Sequence, residues 1–398
     1  MRLTFPTLSA SELCSRPPRA VIDLRSPAEF AEDHVPGAVN VPLFDDVQRA
    51  LVGTLYARSS PEDAFQAARD IVRGRIGMLV AGIAAATGWT PRAEDFEARV
   101  DALTGGGFER TSSFLVGAEA SPAPAAPVVF HCWRGGLRSR SVLHFVRELG
   151  FTEATLLAGG YKAYRAEVAR HLAGFQPPPA FVLRGLTGVG KTLVLREIER
   201  RVPELVIDLE ALAGHRSSLL GMVGLEPCSQ KEFETRLAER LRRPLGPFLV
   251  LEGESRKVGD AIVPPALWRA LDEGESLELV AGVERRVEVL AADYLASARA
   301  RDDLRRQLPL VEARMPRKHV GAGLVTLLDA GRTDELVRLL LEHYYDPLYR
   351  HSEKGRSYAE RFDATDPRAA AEACLAWCRA RAARPTDTGP GRREAANG

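Results

Sequence analysis

The feature that most constrains the fold is a glycine-rich loop between an apolar segment and an amphipathic one. Gly185 is followed by four residues and then by Gly190, Lys191 and Thr192. This spacing, after a strand and at the start of a helix, is typical of a loop whose backbone amides bind phosphates. Strand and helix patterns alternate beyond it. The sequence therefore predicts an α/β domain with a parallel sheet and a phosphate site at the end of its first strand.

The phosphate loop also indicates its ligands. We expect its amides and the Lys191 ammonium to bind a diphosphate, and the Thr192 hydroxyl to bind Mg²⁺. The predicted diphosphate-binding residues are Gly185, Thr187, Gly188, Val189, Gly190, Lys191 and Thr192. Several polar residues after later strands are further candidates for this site, including the acidic partner of the metal: Asp208, Glu252, Glu254, Ser255 and Arg256. The loop predicts a diphosphate but not the group attached to it.

A second loop places a thiol beside groups that suit an anion. Cys132 follows the apolar segment 128–131, and two glycines in the loop let its amides turn inward. Arg138 can donate two hydrogen bonds to a tetrahedral anion. Converging amides and a helix N terminus favour the thiolate. We predict Cys132 and Arg138 as catalytic residues, and the anion-binding residues as Trp133, Arg134, Gly135, Gly136 and Ser139.

Three prolines at 177–179 divide the chain, because prolines interrupt helices and central strands. We expect a first α/β domain over 1–175 and a phosphate-loop domain with a helical C-terminal part over 176–383. The polar tail 384–398 is expected to be disordered. Within the first domain, apolar residues at helical spacing predict a helical insertion from 61 to 104, followed by a loop up to 127.

Composition limits the class of protein. Hydrophobic residues make up 45% and the net charge is +1, and there is no apolar run that could cross a bilayer and no signal peptide. Five scattered cysteines fit a reducing compartment. We predict a cytoplasmic protein that does not contact membranes. Any nucleic acid would have to bind local basic clusters, for which the candidates are Arg240, Arg242 and Arg243; Arg301, Arg305 and Arg306; and Arg317, Lys318 and His319.

The thiol loop resembles the loops of two families. The pattern Cys132, five residues, Arg138 and Ser139 resembles the protein tyrosine phosphatases, whose thiolate accepts a phosphoryl group. It also resembles the rhodaneses, whose cysteine carries sulfur as a persulfide. The segments 21–25 and 34–42 resemble the first strand and the following turn of a rhodanese domain, which favours that family. The loop length is closer to that of the rhodanese-like phosphatases and suits a tetrahedral, phosphate-sized anion.

Six segments in order resemble the tRNA 2-selenouridine synthase family, over about residues 12–380. They are 52–56, 132–139, 158–165, 185–192, 251–259 and 344–349. The resemblance implies a rhodanese-like domain fused to a P-loop domain and an action on tRNAs with 2-thiouridine at the wobble position. The resemblance further implies that geranyl diphosphate alkylates the sulfur and that selenophosphate then replaces the geranylthio group with selenium.

The same resemblance assigns the two loops. It implies that the phosphate loop binds geranyl diphosphate with Mg²⁺, and that the Cys132 loop binds selenophosphate while the thiolate accepts or guides selenium. A geranyl chain needs an apolar groove, which we expect along Leu219, Leu220, Met222, Val223 and Leu225.

Two other classes of function stay open. The first is a Cys132-dependent rhodanese-like phosphatase or sulfurtransferase fused to an ATP-binding domain, which would release phosphate from an aryl phosphate or transfer sulfur. The second is a non-catalytic adaptor that senses anions or binds tRNA, which would bind neither a nucleotide nor a prenyl diphosphate.

Overall fold

The computed structural model describes residues 3–92, 95–253, 255–315, 323–352 and 355–384. The chain divides into two compact units, Met1–Gly174 and Phe175–Gly398. Both are α/β units with parallel sheets, as the sequence predicts. Except for Arg384, the predicted disordered tail lies outside the described residues.

The strands of the first unit are β1 (Thr4–Leu8), β2 (Ala20–Asp23), β3 (Ala38–Asn40), β4 (Glu119–Pro122), β5 (Val128–His131) and β6 (Ala154–Leu157). They form a parallel sheet in the order β3-β2-β5-β6-β1-β4. Every residue of β5 and β6 is buried. Because β2 and β5 are neighbours and Asp23 pairs in register with His131, the segments that follow these two strands meet at one edge of the sheet.

The helices of the first unit are α1 (Ala10–Ser15), α2 (Pro27–Glu32), α3 (Asp46–Arg58), α4 (Pro61–Thr87), α5 (Phe96–Thr104), α6 (Gly107–Val116), α7 (Leu137–Glu148) and α8 (Gly160–Gly174). The long helix α4 begins after the N-cap Ser60. Its buried residues Ile76, Leu79, Val80 and Ile83 recur at helical spacing and join the core that contains β2 and β5.

The prediction of a loop between residues 105 and 127 is wrong in two places. Residues 107–116 form α6, whose Thr111 and Leu115 are buried, so the glycines before it separate two helices and do not begin a long loop. Residues 119–122 form β4, which pairs with β1 through backbone hydrogen bonds. Its side chains are mostly exposed, and an edge strand of this kind carries no apolar alternation that would identify it.

The strands of the second unit are β7 (Ala180–Arg184), β8 (Val206–Ile207), β9 (Leu249–Glu252), β10 (Lys257–Val258), β11 (Ala261–Ile262), β12 (Glu275–Val280) and β13 (Glu360–Asp363). Five of them form a parallel sheet in the order β13-β12-β7-β9-β8, and β10 and β11 form an antiparallel hairpin. The edge strand β13 lies in the region expected to be mainly helical, and its polar, mostly exposed residues again gave no strand signal.

The helices of the second unit are α9 (Lys191–Arg201), α10 (Leu209–Ala213), α11 (Gln230–Arg242), α12 (Pro265–Glu273), α13 (Val283–Tyr294), α14 (Ala298–Glu312), α15 (Leu324–Asp329), α16 (Thr333–Leu340), α17 (Asp346–Ser352) and α18 (Pro367–Ala382), with a 3-10 helix Pro203–Leu205 and a π-helix Leu341–Tyr345. One core lies between the sheet, α9 and α18. A second core joins α13 to α16. Across the described ranges, no helix is long and apolar enough to span a bilayer.

Candidate active sites

The predicted thiol lies where the sequence puts it, directly after the central strand β5. Cys132 is 3% exposed, and its Sγ lies 3.2 Å from the hydroxyl of Ser139 in the first turn of α7. Gly136 is the N-cap residue of that helix. A hydroxyl and a helix N terminus both stabilise negative charge, such as that of an anion bound in this loop.

The thiol loop is held by the turn that precedes α8. The amide of Tyr161 donates to the carbonyl of Cys132 at 2.9 Å, and the amide of Lys162 donates to that of Trp133 at 2.9 Å. Gly160 has a φ of +61°, and a Cβ there would lie closer than 3.0 Å to the Cys132 carbonyl oxygen and the Gly135 amide. This close approach gives Gly160 a physical role that the sequence alone did not show.

A buried ionic network lies beneath the thiol loop. Asp23 and Arg25 are at most 1% exposed and form a two-point ion pair, with 2.6 Å between Arg25 Nη2 and Asp23 Oδ2. Burial acts to raise the pKa of Asp23, but His131 and Arg25 outweigh it and the pKa is lowered. Arg25 also lies 3.6 Å above the ring of Tyr161, whose hydroxyl donates to Asp33 at 2.5 Å. These residues fix the ends of β2 and β5, and sequence reasoning did not identify them as part of the site.

The arginines near the thiol differ in what they contact. Arg138 is half-buried with its Nη1 3.9 Å from a carboxylate oxygen of Glu29, and Arg134 is exposed. Arg140, which was not predicted, donates to the carbonyls of Gly135 and Leu115 at 3.2 and 3.1 Å. Burial lowers the pKa of Arg140, and the nearby Cys132 opposes that effect. Arg140 thus supports the loop, while Arg138 and Arg134 remain the candidates for anion binding.

A cavity of about 780 Å³ opens beside the thiol loop. The thiol loop contributes Cys132, Trp133, Arg134, Gly136 and Arg138 to its lining. Helices α3 to α6 supply most of the remaining lining, which is largely apolar and includes Val52, Tyr56, Ala64, Phe65, Ala68, Val72, Ile76, Val100, Leu103, Phe108 and Val116. The helical insertion therefore forms a wall of the thiol site, a role that the sequence did not reveal.

Residues 219–225 do not form the apolar groove that we expected there. Leu220 and Val223 are completely buried in the core of α13 to α16, and Leu219 packs against that core. Met222 is partly exposed. The apolar run reflects core packing, since buried leucine and valine produce the same pattern as the wall of a groove.

The predicted phosphate loop connects β7 to α9. Gly185, Gly188 and Gly190 all have positive φ, at +139°, +80° and +91°, which glycine adopts at little cost. The Lys191 ammonium donates to the carbonyl of Gly185 at 3.0 Å. Thr192 lies in the first turn of α9, so the loop has the backbone form and the charges that a diphosphate requires.

The C-terminal segment 344–349 supports the phosphate loop. The Tyr349 hydroxyl accepts a hydrogen bond from the Gly185 amide at 2.9 Å. Arg286 donates to the carbonyl of Thr187 at 2.8 Å and forms an ion pair with Asp346. This segment carried part of the family resemblance, and the contacts give the physical reason for its sequence.

An acidic cluster adjoins Thr192. Glu252 at the end of β9 accepts a hydrogen bond from the Thr192 hydroxyl at 2.9 Å. The pKa of Glu252 is raised to about 8, chiefly by burial and then by the carboxylates of Glu210 and Asp208, while Lys191 and the Thr192 hydrogen bond oppose the rise. A divalent cation beside Glu252 would relieve this repulsion. Glu210 was not predicted.

The remaining candidates of this site have different positions. Asp208 is the N-cap of α10, and Ser255 and Arg256 are exposed between β9 and β10. Glu254 lies outside the described residues. Among the residues that the structure describes, no group of three or more His, Cys, Asp or Glu side chains could hold a metal ion. Mg²⁺ would therefore depend on Thr192, Glu252 and the ligand's own phosphates, as is common for this ion.

The basic clusters considered for nucleic acid are largely engaged within the fold. Arg240 donates to the carbonyls of Pro203 and Val206, and Arg242 pairs with Glu239. In the second cluster, Arg301 donates to the Leu328 carbonyl, Arg305 pairs with Asp329 and Arg306 pairs with Asp303. Residues 317–319 lie outside the described residues. A role for these clusters in binding tRNA stays a prediction.

Comparisons with known proteins match segments of both units. A family model described as the tRNA 2-selenouridine synthase AAA domain matches residues 178–314, and one described as a rhodanese-like domain matches residues 9–69. A tRNA 2-selenouridine synthase of Chromohalobacter salexigens is 30% identical, covering 91% of this chain and 94% of its own. That of Cupriavidus pinatubonensis is 30% identical over 92% and 95%, and that of Marinobacter nauticus is 32% identical over 71% and 68%. The chain therefore belongs to the tRNA 2-selenouridine synthase family.

Proposed function

We propose that this chain is a tRNA-modifying transferase that converts wobble 2-thiouridine to 2-selenouridine through S-geranyl-2-thiouridine. The observation that carries the proposal is that one chain holds a thiol loop, with Cys132 beside Ser139 at a helix N terminus, and a phosphate loop beside a buried carboxylate. The names of its relatives supply the tRNA and the selenium. Two successive substitutions need two anion sites, one for each phosphorylated reactant.

The phosphate loop would serve the alkylation step. Its amides and Lys191 bind the diphosphate of geranyl diphosphate and stabilise the charge that grows as it leaves. The tRNA sulfur forms a bond to C1 of the geranyl group, and the C–O bond breaks with its electron pair going to the diphosphate. Thr192 and Glu252 would hold Mg²⁺, which supplies further positive charge at the leaving group.

The Cys132 loop would serve the exchange of sulfur for selenium. Arg138 and the loop amides bind the phosphoryl oxygens of selenophosphate. The Cys132 thiolate attacks phosphorus, the P–Se bond breaks and selenide leaves with the electron pair. Water later hydrolyses the cysteinyl phosphate. A bond between Cys132 and selenium with phosphate as the other product would need an oxidant, because sulfur and selenium both begin fully reduced.

Selenide then completes the exchange on the base. It forms a bond to C2 of S-geranyl-2-thiouridine, the C2–S bond breaks and geranylthiolate leaves and takes a proton. The proton on the new selenium passes to N3 of the base, which gives 2-selenouridine. Alkylation is needed because the alkylated sulfur leaves as a thiolate, which is a much better leaving group than the bare sulfur of 2-thiouridine.

Two variants separate the half-reactions. Lys191→Ala should abolish formation of the geranylated nucleoside but still convert a supplied S-geranyl tRNA, whereas Cys132→Ala should geranylate and then stop. Cys228→Ala is the matched control, since Cys228 is a partly buried cysteine outside the thiol loop. Nucleosides are measured by mass spectrometry after digestion of the tRNA. Cys132-dependent release of phosphate from an aryl phosphate, with unchanged tRNA nucleosides, would replace the proposal with a phosphatase.

A further inference from the structure

We infer that the cavity beside Cys132 binds the isoprenoid chain carried by the sulfur of the modified uridine. We call it the α3–α6 cavity, bounded by the thiol loop and by helices α3, α4, α5 and α6. The inference rests on the proposed function and adds to it a binding site for the apolar leaving group. It gives the helical insertion a direct role in the second half-reaction.

The distribution of chemistry within the α3–α6 cavity supports this ligand. The thiol and the two candidate anion-binding arginines, Arg134 and Arg138, line the cavity together from one short segment, the thiol loop. The helical walls are mainly aliphatic and aromatic. Two further arginines line the cavity and have acidic neighbours: Arg49 lies 3.6 Å from Glu29, and Arg69 lies 3.4 Å from Asp70. A ligand that fits must therefore be polar at the thiol and apolar beyond it.

The size and the rim of the cavity point the same way. Its volume of about 780 Å³ lies within the range of about 300–1,000 Å³ that is usual for small-molecule sites. Tyr56 and Val116, which both line it, remain 61% and 49% exposed. Clustered apolar side chains left open to solvent commonly mark a binding surface.

The geometry of the reaction explains why the chain should lie here. The C2–S bond breaks where selenide is released, which is next to Cys132. A chain attached to that sulfur must extend from the thiol loop, and the α3–α6 cavity opens at that point. Burial of the chain would orient the base and hold the leaving group. Substrates with shorter chains should therefore react more slowly.

The test is a substitution that fills the cavity. Ala68 lies on α4 and lines the cavity, so Ala68→Trp should slow conversion of an S-geranyl anticodon hairpin by at least about tenfold. Geranylation of 2-thiouridine should be unchanged. With an S-dimethylallyl hairpin, the variant and the wild-type protein should differ little, because the shorter chain needs less of the cavity. Ala81→Trp is the matched control, since Ala81 is exposed on the same helix.

The outcomes distinguish this inference from the proposed function. If wild-type protein converts neither hairpin, the proposed function fails. If it converts both and folded Ala68→Trp retains the wild-type rate on the geranyl substrate, the cavity does not bind the chain. Should Ala68→Trp fail to fold, Val116→Asp on the half-exposed rim gives the same comparison. Loss of chain-length preference in either variant supports the inference, and its retention in a folded variant overturns it.

Discussion

A methyl group added at Gly160 should disrupt the thiol loop. The residue has a φ of +61°, which costs an alanine about 1–2 kcal/mol. The new Cβ would also lie closer than 3.0 Å to two backbone atoms, the Cys132 carbonyl oxygen and the Gly135 amide. The side-chain and backbone shifts that such overpacking forces destabilise a protein by about 1–3 kcal/mol. We therefore expect Gly160→Ala to lower the free energy of unfolding of the first unit by about 2–5 kcal/mol.

Urea unfolding followed by fluorescence measures this change. Gly174→Ala is the matched control at the other end of α8, where a Cβ meets nothing within 4 Å, and it should unfold like the wild type. Gly160→Ala should also lose conversion of S-geranyl tRNA while it retains geranylation, since only the thiol loop is displaced. A Gly160→Ala protein that unfolds at the wild-type urea concentration would refute the packing argument.

Three further predictions concern the buried polar groups. The pKa of Glu252 is raised to about 8 in the folded protein, from an ordinary value of 4.5. Between these two values the folded protein keeps a proton that the unfolded chain has released. Without Mg²⁺, the free energy of unfolding should therefore fall by about 1.4 kcal/mol for each unit by which the pH rises from 4.5 to 8. Glu252→Gln should remove that slope, which urea unfolding at pH 6 and 7.5 measures. Tyr349→Phe should bind inorganic diphosphate several-fold more weakly by calorimetry, because the Gly185 amide loses its acceptor. Asp23→Asn should lower the free energy of unfolding by about 3–5 kcal/mol, because it leaves Arg25 buried without its ion pair; an unchanged urea midpoint would contradict this.

The sequence predicted the elements whose pattern comes from burial. The central strands β5, β7 and β9 appear as apolar runs, and α9 begins at Lys191, at the predicted phosphate loop. Both loops were found because their glycines and their charged or nucleophilic side chains stand at characteristic spacings. These signals are local, so a single sequence contains them.

What the sequence missed depends on contacts between distant segments. The edge strands β4 and β13 are held by backbone pairing, which leaves no mark on their exposed side chains. The contact of Tyr349 with Gly185 joins residues 164 positions apart, and the α3–α6 cavity exists only once four helices have packed. Buried and groove-lining apolar residues also look alike in a sequence, which is why residues 219–225 were misinterpreted.

The most direct test of the two-site account is an omission experiment with the wild-type protein. A 2-thiouridine tRNA is incubated with geranyl diphosphate, Mg²⁺ and selenophosphate, each omitted in turn, and the nucleosides are identified by mass spectrometry. The account predicts S-geranyl-2-thiouridine when selenophosphate is absent, and 2-selenouridine once it is added. Unchanged 2-thiouridine in the complete mixture, or selenouridine formed without geranyl diphosphate, would contradict it.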